Sequence, residues 1–281
     1  MPELPEVETV LKGLGPVLSD AVICHAQITR QDLRYPFPFN FCQRLIKTKI
    51  IALGRRAKYL IIGLDSRESL IIHLGMSGRV KILATPEDLK PHDHVILILS
   101  NGYEVRYHDP RRFGFMDLVS TAELQSYRSF KELGPEPLSP QFNENTLLKV
   151  AASRQTPLKS FLLDQKSFLL DQKVVAGLGN IYVCEALFLA KLSPCMPVHR
   201  LTKAQAGRLM LCIQNVLKEA IKAGGSTLRD HAQPNGEMGY FQHQFKVYGR
   251  EAQPCIDCNS LIQRSMTSGR STFFCSKCQG A

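Results

Sequence analysis

The chain has 281 residues, of which 44% are hydrophobic and 21% are charged. This composition is that of a soluble globular protein, and the length is enough for two domains of ordinary size. A formal net charge of +10 favours a polyanionic partner. Nucleic acid fits better than a membrane, because the sequence has no basic amphipathic anchor and no long apolar run. The chain does not open with a basic leader and an apolar stretch, so we expect a cytosolic protein.

The chain begins Met1-Pro2-Glu3, which places a proline nitrogen at the terminus once the initiator methionine is removed. A terminal proline is a secondary amine that can attack an electrophilic carbon and form an iminium. Glu3 is a neighbouring carboxyl that can move a proton. The alternative is that Pro2 only stiffens a terminus, since chain ends are commonly frayed and inert.

The first half of the chain is rich in predicted strands. Residues Val7 to Leu18 have the pattern of an amphipathic helix. Short β-branched runs separated by turns then predict a sandwich or a barrel. These runs are Val22–Ile23, Ile50–Leu53, Tyr59–Leu64, Leu70–Leu74, Val95–Leu99, Val105–His108 and Phe115–Val119.

Three turns in this half carry cations or apolar side chains. The segment Gly54–Tyr59 contains three cations before a strand, and a solvated edge would explain it equally well. Met76 lies in the glycine-rich turn of HLGMSG, and Phe113 lies beside Arg111 in DPRRFG. Apolar side chains in such turns suit wedges that enter a base stack, although each one alone could be a core residue.

A proline-rich segment, Leu133–Pro140, predicts a linker, and the pattern beyond it is helical. The predicted helices are Glu144–Ala152, a segment near 157–172, Ile181–Ala190 and Lys203–Ala223, the last closed by Gly224-Gly225. The glycine turn Val174–Asn180 precedes a helix whose N-terminal amides could hold a phosphate.

Four cysteines near the end form two CxxC pairs separated by sixteen residues: Cys255, Cys258, Cys275 and Cys278. This spacing predicts one tetrahedral zinc site, which would supply the folding energy that so short a segment lacks. Redox dithiols or disulfides are the alternative, and they suit neither a cytosolic setting nor so short a segment. Arg270 lies between the pairs, so the ribbon is a candidate phosphate-binding module as well as a structural one.

These motifs together resemble the bacterial formamidopyrimidine-DNA glycosylases, which excise oxidised purines such as 8-oxoguanine. The resemblance spans essentially the whole chain. The motifs that carry it are MPELPEVE at Met1–Glu8, RAKYL at Arg56–Leu60, HLGMSG at His73–Gly78, DPRRFG at Asp109–Gly114, GPEPL at Gly134–Leu138, VAGLGNIY at Val175–Tyr182, VYGR at Val247–Arg250 and the four terminal cysteines.

The resemblance implies an α+β fold with three parts and a linker. Residues 1–133 would form an N-terminal catalytic β-sandwich with flanking helices, 134–140 the linker, 141–244 a helix, two-turn, helix domain, and 245–281 a zinc finger with one structural Zn²⁺. The implied partner is double-stranded DNA containing oxidised bases, with no membrane. The protein would be a monomer in the bacterial cytoplasm, associated with the nucleoid.

The resemblance also implies catalytic roles. Pro2 would attack the sugar C1′ of the damaged nucleotide and expel the base through a Schiff base, while Glu3 handles protons. Lys58 would hold backbone phosphates and assist β-elimination, and Arg270 would grip phosphate and support δ-elimination. The expected product is a single-nucleotide gap.

DNA contacts follow from the same resemblance. Met76, Arg111 and Phe113 match the residues that fill the void left by the everted base, with Arg111 facing the orphaned cytosine. His92, Arg154 and Asn180 match further DNA contacts. Residues Ser226–Arg229, with the loop to Gln244, correspond to the lesion-capturing region.

One feature departs from the family pattern. The sequence KSFLLDQ occurs at Lys159–Gln165 and again at Lys166–Gln172, where the family has one copy. Seven residues are nearly two helical turns, so an insertion preserves the facing of the helix but shifts one end by roughly 10 Å. We expect a helix extended at its N-terminal end, which would move Arg154 away from DNA. Looping out of one copy is the alternative.

Three rival interpretations are open from the sequence. The first is an endonuclease VIII-type glycosylase for oxidised pyrimidines, although PELPE, MSG and DPRRFG favour the purine-specific branch. The second is a non-catalytic zinc-ribbon DNA-binding protein, if Met1 were retained. A tautomerase with an N-terminal proline is remote, because it would leave the ribbon and the arginine turns unexplained.

Overall fold

The computed structural model describes residues 1–163, 172–226 and 239–280. The chain forms two compact units, one of residues 1–131 and 223–240 and the other of residues 132–222 and 241–281. The finer division into residues 1–133, 134–140, 141–244 and 245–281 stays a prediction. Among the described residues, no helix combines the length and apolarity needed to cross a membrane.

The first unit begins with helix α1, Leu4–Leu18. It starts three residues before the predicted Val7, because Pro5 is tolerated in a first turn, where its missing N–H would have no partner. Helix α1 buries a stripe with helical spacing, Leu4, Val7, Val10, Leu14 and Val17, as its amphipathic pattern predicts.

Two four-stranded antiparallel sheets follow. One has the order β1-β6-β7-β5, with β1 Ile23–Ile28, β5 Arg79–Leu83, β6 Asp93–Leu99 and β7 Glu104–His108. The other has the order β2-β3-β4-β8, with β2 Ile50–Arg56, β3 Tyr59–Leu64, β4 Glu68–His73 and β8 Phe115–Ser120. The short helix α2 spans Phe41–Leu45. Strand β5 and helix α2 were absent from the predicted elements, and β1 shares only Ile23 with its predicted run, Val22–Ile23. The other strands of these two sheets overlap the predicted runs over most of their length.

One apolar core joins both sheets to α1. It contains Leu60 and Leu70 from one sheet, Val95 and Val105 from the other, and Val10 from the helix, all buried. Alternating residues of each strand point into this core, which is how two half-buried antiparallel sheets pack. The predicted N-terminal β-sandwich is confirmed.

The second unit is helical. Helices α3 Glu144–Ala151, α4 Leu158–Leu163, α5 Asn180–Leu189 and α6 Lys203–Lys222 match predicted segments to within a few residues over the part of the chain that is described. Asn143 caps α3, since its side-chain oxygen accepts hydrogen bonds from the amides of Asn145 and Thr146. The whole of α5 except its ends is buried, so it is the central helix of this unit.

The cysteine ribbon packs on α5. It contains the hairpin β9 Gln263–Thr267 and β10 Arg270–Phe274, followed by the one-turn helix α7 Ser276–Gln279. Cys184 and Phe188 of α5 share a small buried cluster with Val247, Ile262 and the ribbon cysteines. The predicted α+β class with a helical C-terminal half and a four-cysteine ribbon is confirmed.

The tandem repeat is described only at its ends. Helix α4 contains the beginning of the first copy, and Gln172 closes the second. The choice between an extended helix and a looped-out copy concerns residues 164–171, which lie outside the described residues. The lesion-capturing segment predicted from Ser226 onwards likewise lies outside them between 227 and 238.

Candidate active site and nucleic-acid interface

The N-terminal residues Pro2 and Glu3 are buried at the start of α1. The amide of Glu3 donates a hydrogen bond to Glu6 Oε2 at 2.9 Å. The other oxygen of Glu6 accepts hydrogen bonds from the amide and the hydroxyl of Ser226, at 2.8 and 3.0 Å. Glu6 therefore joins the chain terminus to a residue 220 positions away, the first residue of the segment predicted to capture the lesion.

Glycine is required beside this carboxylate. Gly225 has φ +77°, and a Cβ built there would come within 3.2 Å of Glu6 Oε1 and 3.4 Å of the Glu6 Cα. The predicted Gly224-Gly225 end of α6 is confirmed, and its second function is to let this backbone approach α1 closely.

Lys58 lies in the turn between β2 and β3, where Ala57 has φ +51°. Its side chain is buried. The hairpin is tied to α1 by an ion pair between Arg55 Nε and Glu8 Oε2 at 2.8 Å, so Lys58 belongs to the same unit as Pro2 and Glu3. The three predicted catalytic residues of this unit are all buried polar or terminal groups.

The pKa of His73 is lowered by burial and by the nearby charge of Lys58. Complete burial, and then the positive charges of Lys58 and Arg34, lower the pKa of His73 to about 3. The imidazole is therefore neutral at physiological pH, and its Nδ1 accepts a hydrogen bond from the amide of Gly75 at 3.1 Å. A neutral histidine thus fixes the first residue of the turn that carries Met76.

The two predicted wedge turns lie side by side. A Cβ built on Gly75 would be 2.3 Å from the amide nitrogen of Gly114 and from the carbonyl carbon of Phe113, so the backbones of the turns touch. The guanidinium carbon of Arg111 lies 4.8 Å from the centroid of the Phe113 ring, in cation–π contact. Arg111 and Phe113 are exposed and Met76 is half-buried. The structure therefore brings Met76, Arg111 and Phe113 together.

His92 and Arg154 occupy different units. His92 is exposed on a turn with φ +75° immediately before β6. Arg154 lies between α3 and α4, with its guanidinium carbon 5.6 Å from the centroid of the Phe161 ring. Phe161 belongs to the first KSFLLDQ copy, so the described part of the repeat supports Arg154.

In the second unit, Asn180 binds the backbone of β10 at the residue that follows Arg270. Arg270 directly follows the turn Ser268-Gly269, whose residues have φ +50° and +73°. The next carbonyl, that of Ser271, accepts a hydrogen bond from Asn180 Nδ2 at 3.0 Å. Asn180 is the first residue of α5, one residue before the predicted start of the helix at Ile181, and the predicted glycine turn directly precedes it.

A buried lysine that the sequence analysis missed holds the same strand. Lys159 is fully buried, and its Nζ donates to the Ser271 carbonyl and the Thr272 hydroxyl, both at 2.8 Å. The signal for it was a lysine at a core-facing position of an apolar helical segment. Such a residue is rarely buried without a partner.

Glu185 was also missed. This buried carboxylate on α5 accepts hydrogen bonds from three successive amides, those of Lys246, Val247 and Tyr248, at 2.8 to 3.0 Å. Burial raises the pKa of Glu185 in spite of these bonds. It anchors the VYGR segment, which leads into the ribbon, to the central helix.

The four ribbon cysteines form a compact cluster. The sulfur atoms of Cys255, Cys258, Cys275 and Cys278 all lie within 4.8 Å of one another. A tetrahedral ion with metal–sulfur distances of about 2.3 Å separates its sulfurs by roughly 3.8 Å, so the arrangement fits one such ion. The predicted grouping of these four residues is confirmed, and they could bind a metal ion.

Comparison with known proteins agrees with this geometry. Residues 1–116 match the family model of the formamidopyrimidine-DNA glycosylase N-terminal domain, and residues 133–232 match that of the formamidopyrimidine-DNA glycosylase H2TH domain. A formamidopyrimidine-DNA glycosylase of Azorhizobium caulinodans is 50% identical over 299 residues, covering 99% of this chain and 100% of that protein.

Solved structures with DNA are similar over the whole length. The wild-type Lactococcus lactis glycosylase bound to DNA containing N7-benzyl-Fapy-dG has a TM-score of 0.89 at 33% identity, covering 100% of both chains. The same enzyme bound to DNA with an abasic site has a TM-score of 0.89 at 32% identity, covering 99% of both. The chain belongs to the formamidopyrimidine-DNA glycosylase family.

Proposed function

We infer that the protein is a base-excision repair glycosylase that removes oxidised purines from duplex DNA. The observation that carries this inference is the burial of Pro2 and Glu3 in the unit that also presents Met76, Arg111 and Phe113 together. A nucleophile alone would fit many enzymes, whereas a nucleophile on the same unit as paired wedges fits chemistry on an everted nucleotide. The full-length relative of Azorhizobium caulinodans is a formamidopyrimidine-DNA glycosylase, and the Lactococcus lactis relative is bound to lesion-containing DNA in its solved structure.

The reaction that fits these residues begins with removal of Met1. The freed Pro2 nitrogen forms a bond to the sugar C1′, and the bond from C1′ to the base nitrogen breaks. The base leaves with that electron pair and receives a proton. Opening of the sugar ring then gives the iminium linkage, with Glu3 moving a proton between the sugar and the leaving group.

We propose strand cleavage as the second activity. The iminium acidifies the sugar C2′ proton, so its removal expels the 3′ phosphate, and a further elimination expels the 5′ phosphate. Lys58 and Arg270 would hold the phosphates and stabilise their negative charge. Arg270 is suited to this because Lys159 and Asn180 fix the strand that carries it.

We propose that DNA is held by phosphate contacts from both units. Eversion of the base costs a few kcal/mol of stacking and pairing, which Met76, Arg111 and Phe113 would offset by filling the void. His92, Arg154 and Asn180 would bind the backbone. Affinity for duplex DNA would therefore fall steeply with salt concentration, because each cation–phosphate contact releases counterions.

We propose that the cysteine cluster binds one Zn²⁺ with a structural role. Cys255 and Cys275 are buried against α5, so the ion would fix the ribbon, and with it Arg270, on the central helix. The protein would act on the bacterial chromosome in the cytoplasm. Removal of the metal with a chelator should release one equivalent of zinc and loosen the ribbon, while unfolding of the first unit stays unchanged.

Borohydride trapping on an 8-oxoguanine:cytosine duplex tests the function. The mature protein, with Met1 removal verified by mass spectrometry, should form a covalent adduct with DNA. A variant that keeps one residue ahead of Pro2 should form none. Pro2→Gly retains a terminal primary amine and should form a reduced but measurable amount.

Two outcomes would overturn the inference. Full base release by the blocked variant would remove Pro2 from the mechanism. Preferential trapping on thymine glycol rather than 8-oxoguanine would assign the protein to oxidised pyrimidines.

A further inference from the structure

The Met76 turn and the Arg111–Phe113 turn, the two wedge turns, are joined by one buried carboxylate, that of Asp109. Asp109 is completely buried at the start of DPRRFG. Its Oδ1 accepts a hydrogen bond from the Ser77 hydroxyl at 2.5 Å. Its Oδ2 accepts hydrogen bonds from the amide of Gly114 at 2.9 Å and the Tyr107 hydroxyl at 3.2 Å. One side chain thus binds the Met76 turn, the end of its own turn and strand β7.

Ser77 relays this contact to the second turn. Its hydroxyl has one hydrogen, which it donates to Asp109, so the oxygen is free to accept. It accepts a hydrogen bond from the amide of Arg111 at 3.2 Å. Asp109 therefore sets the orientation of a hydroxyl that links the residue after Met76 directly to the backbone of Arg111.

The backbone of Asp109 extends the same assembly to His92. The amide of Asp109 donates to the His92 carbonyl at 3.0 Å. The Asp109 carbonyl lies 3.0 Å from His94 Nε2, which must donate because the carbonyl can only accept. Desolvation lowers the pKa of His94, in accord with a neutral ring. His92, a predicted DNA contact, is thereby connected through Asp109 to the wedge turns.

The backbones of the two turns are also packed closely against each other and against β7. A Cβ built on Gly114 would be 1.7 Å from the Tyr107 hydroxyl oxygen and 2.6 Å from the His73 carbonyl. Gly75 touches Gly114 on the other side of the same contact. The two turns are thus joined both by this backbone packing and by the hydrogen bonds of the Asp109 carboxylate.

The charge on Asp109 is costly for a merely structural link. The hydrogen bonds that its carboxylate accepts from the described residues come from neutral donors, two hydroxyls and an amide. A buried carboxylate needs strong compensation, and a connection between two strands could be made with uncharged groups. A fixed spacing between two wedges on separate turns, each connecting a strand of one sheet to a strand of the other, is a requirement that would justify this cost.

We propose that Asp109 is a positioning residue for base eversion and for reading the base opposite the lesion. It holds the Met76 turn and the Arg111–Phe113 turn in one register, so that both wedges enter the stack together and Arg111 meets the orphaned base. The proposal rests on the proposed glycosylase function. A displacement of about 1 Å at such a site can reduce a rate about 100-fold.

Asp109→Asn tests this proposal, since it keeps the size of the side chain and removes its charge. Asp117→Asn is the matched control. Asp117 is a partly buried carboxylate on β8 of the same unit, and it accepts hydrogen bonds from the Tyr127 hydroxyl at 2.9 Å and from Arg128, neither of which belongs to a wedge turn. Single-turnover excision is measured on 8-oxoguanine opposite cytosine and opposite adenine, alongside cleavage of a preformed abasic site, which has no base to evert.

We expect Asp109→Asn to slow excision opposite cytosine by about 10- to 100-fold and to narrow the preference for cytosine over adenine. Cleavage at the abasic site should fall much less. The Asp117→Asn protein should match the wild type in all three. A second pair of variants keeps the test valid if Asp109→Asn does not fold. Ser77→Ala removes the hydroxyl that links Asp109 to the Arg111 amide and should also narrow the preference for cytosine over adenine. Ser77→Thr keeps a hydroxyl at this position and should retain the wild-type preference.

An unchanged preference for the opposite base in folded Asp109→Asn and Ser77→Ala proteins would overturn the proposal. Equal losses on all three duplexes would do the same, because they would indicate a general structural defect. Failure of the wild-type protein to excise 8-oxoguanine would instead contradict the proposed function, so the two failures are distinguishable.

Discussion

The substitution Glu6→Gln tests the connection between the chain terminus and residue 226. The Glu6 carboxylate accepts hydrogen bonds from the amides of Glu3 and Ser226 and from the Ser226 hydroxyl, at 2.8 to 3.0 Å. Glutamine has one oxygen where glutamate has two. Its amide group would face at least one of these donors, and that donor would be buried without an acceptor.

The magnitude follows from the number of bonds and the burial. Glu6 is 2% exposed, so water replaces little of what is lost. A hydrogen bond to a charged group contributes about 1.5 to 3 kcal/mol, and an orphaned buried donor costs about 1 to 3 kcal/mol. We therefore expect the free energy of unfolding to fall by about 2 to 4 kcal/mol, which corresponds to a midpoint lower by roughly 5 to 15 °C for a unit of this size.

Thermal unfolding and amide hydrogen exchange measure the effect. Exchange at Ser226 should accelerate more than exchange in the β-sandwich core, because the lost contact is local. Glu87→Gln is the control: it makes the same change in the same unit at an exposed ion pair, with Lys90 at 3.3 Å, and should cost less than about 1 kcal/mol. If the Glu6→Gln and Glu87→Gln proteins unfolded at the same temperature and amide exchange at Ser226 were unchanged, the reasoning about this carboxylate would be refuted.

Three further predictions concern other buried groups. The pKa of His73 is about 3 in the folded protein and about 6.5 in the unfolded chain. The stabilisation from its neutral ring is therefore complete above pH 6.5, and the free energy of unfolding falls by about 1.4 kcal/mol per pH unit as the pH decreases toward 3. His73→Asn keeps an acceptor for Gly75 but cannot titrate, so urea unfolding between pH 4 and 7 should show a flatter dependence, and an unchanged slope would contradict the assignment. Glu185→Gln should lower the unfolding midpoint by several degrees and weaken phosphate binding by the ribbon, measured as a smaller salt dependence of DNA affinity; unaltered stability would show that its three amide bonds contribute nothing net. Deleting residues 166–172 leaves one complete KSFLLDQ, so Lys159 and a terminal glutamine are both retained, and borohydride trapping should be unchanged or improved; loss of trapping would show that the second copy has a role of its own.

Much of the fold could be predicted from local pattern. The β-branched runs found most of the strands, and the two CxxC pairs located the ribbon. Strand β5 was missed because Arg79-Val80-Lys81-Ile82 interleaves its apolar residues with cations, so it has no continuous β-branched run, and because it directly follows a glycine turn. Helix α2 has five residues, too few for a periodic signal.

The supporting residues of the site could not be found in this way. Glu6 meets Ser226 across 220 positions, and Lys159 meets Thr272 across 113. No spacing along the sequence encodes such pairs, because they depend on how whole elements pack. Asp109 belongs to the DPRRFG motif, but its neighbours carry the obvious chemistry, and the role proposed for it depends on Ser77, which lies in a different turn.

The close approach of Gly75 and Gly114 has a consequence for protein engineering, because it distinguishes positions that can be substituted from positions that the fold requires. The side chains at 76, 111 and 113 project from turns that are held together by main-chain contacts and buried groups. Substituting these three side chains therefore leaves the contacts between the turns intact. A library confined to these three positions could therefore search for altered choice of the opposing base without sacrificing folding. Randomising the glycines beneath them would mostly yield chains that never reach the native state.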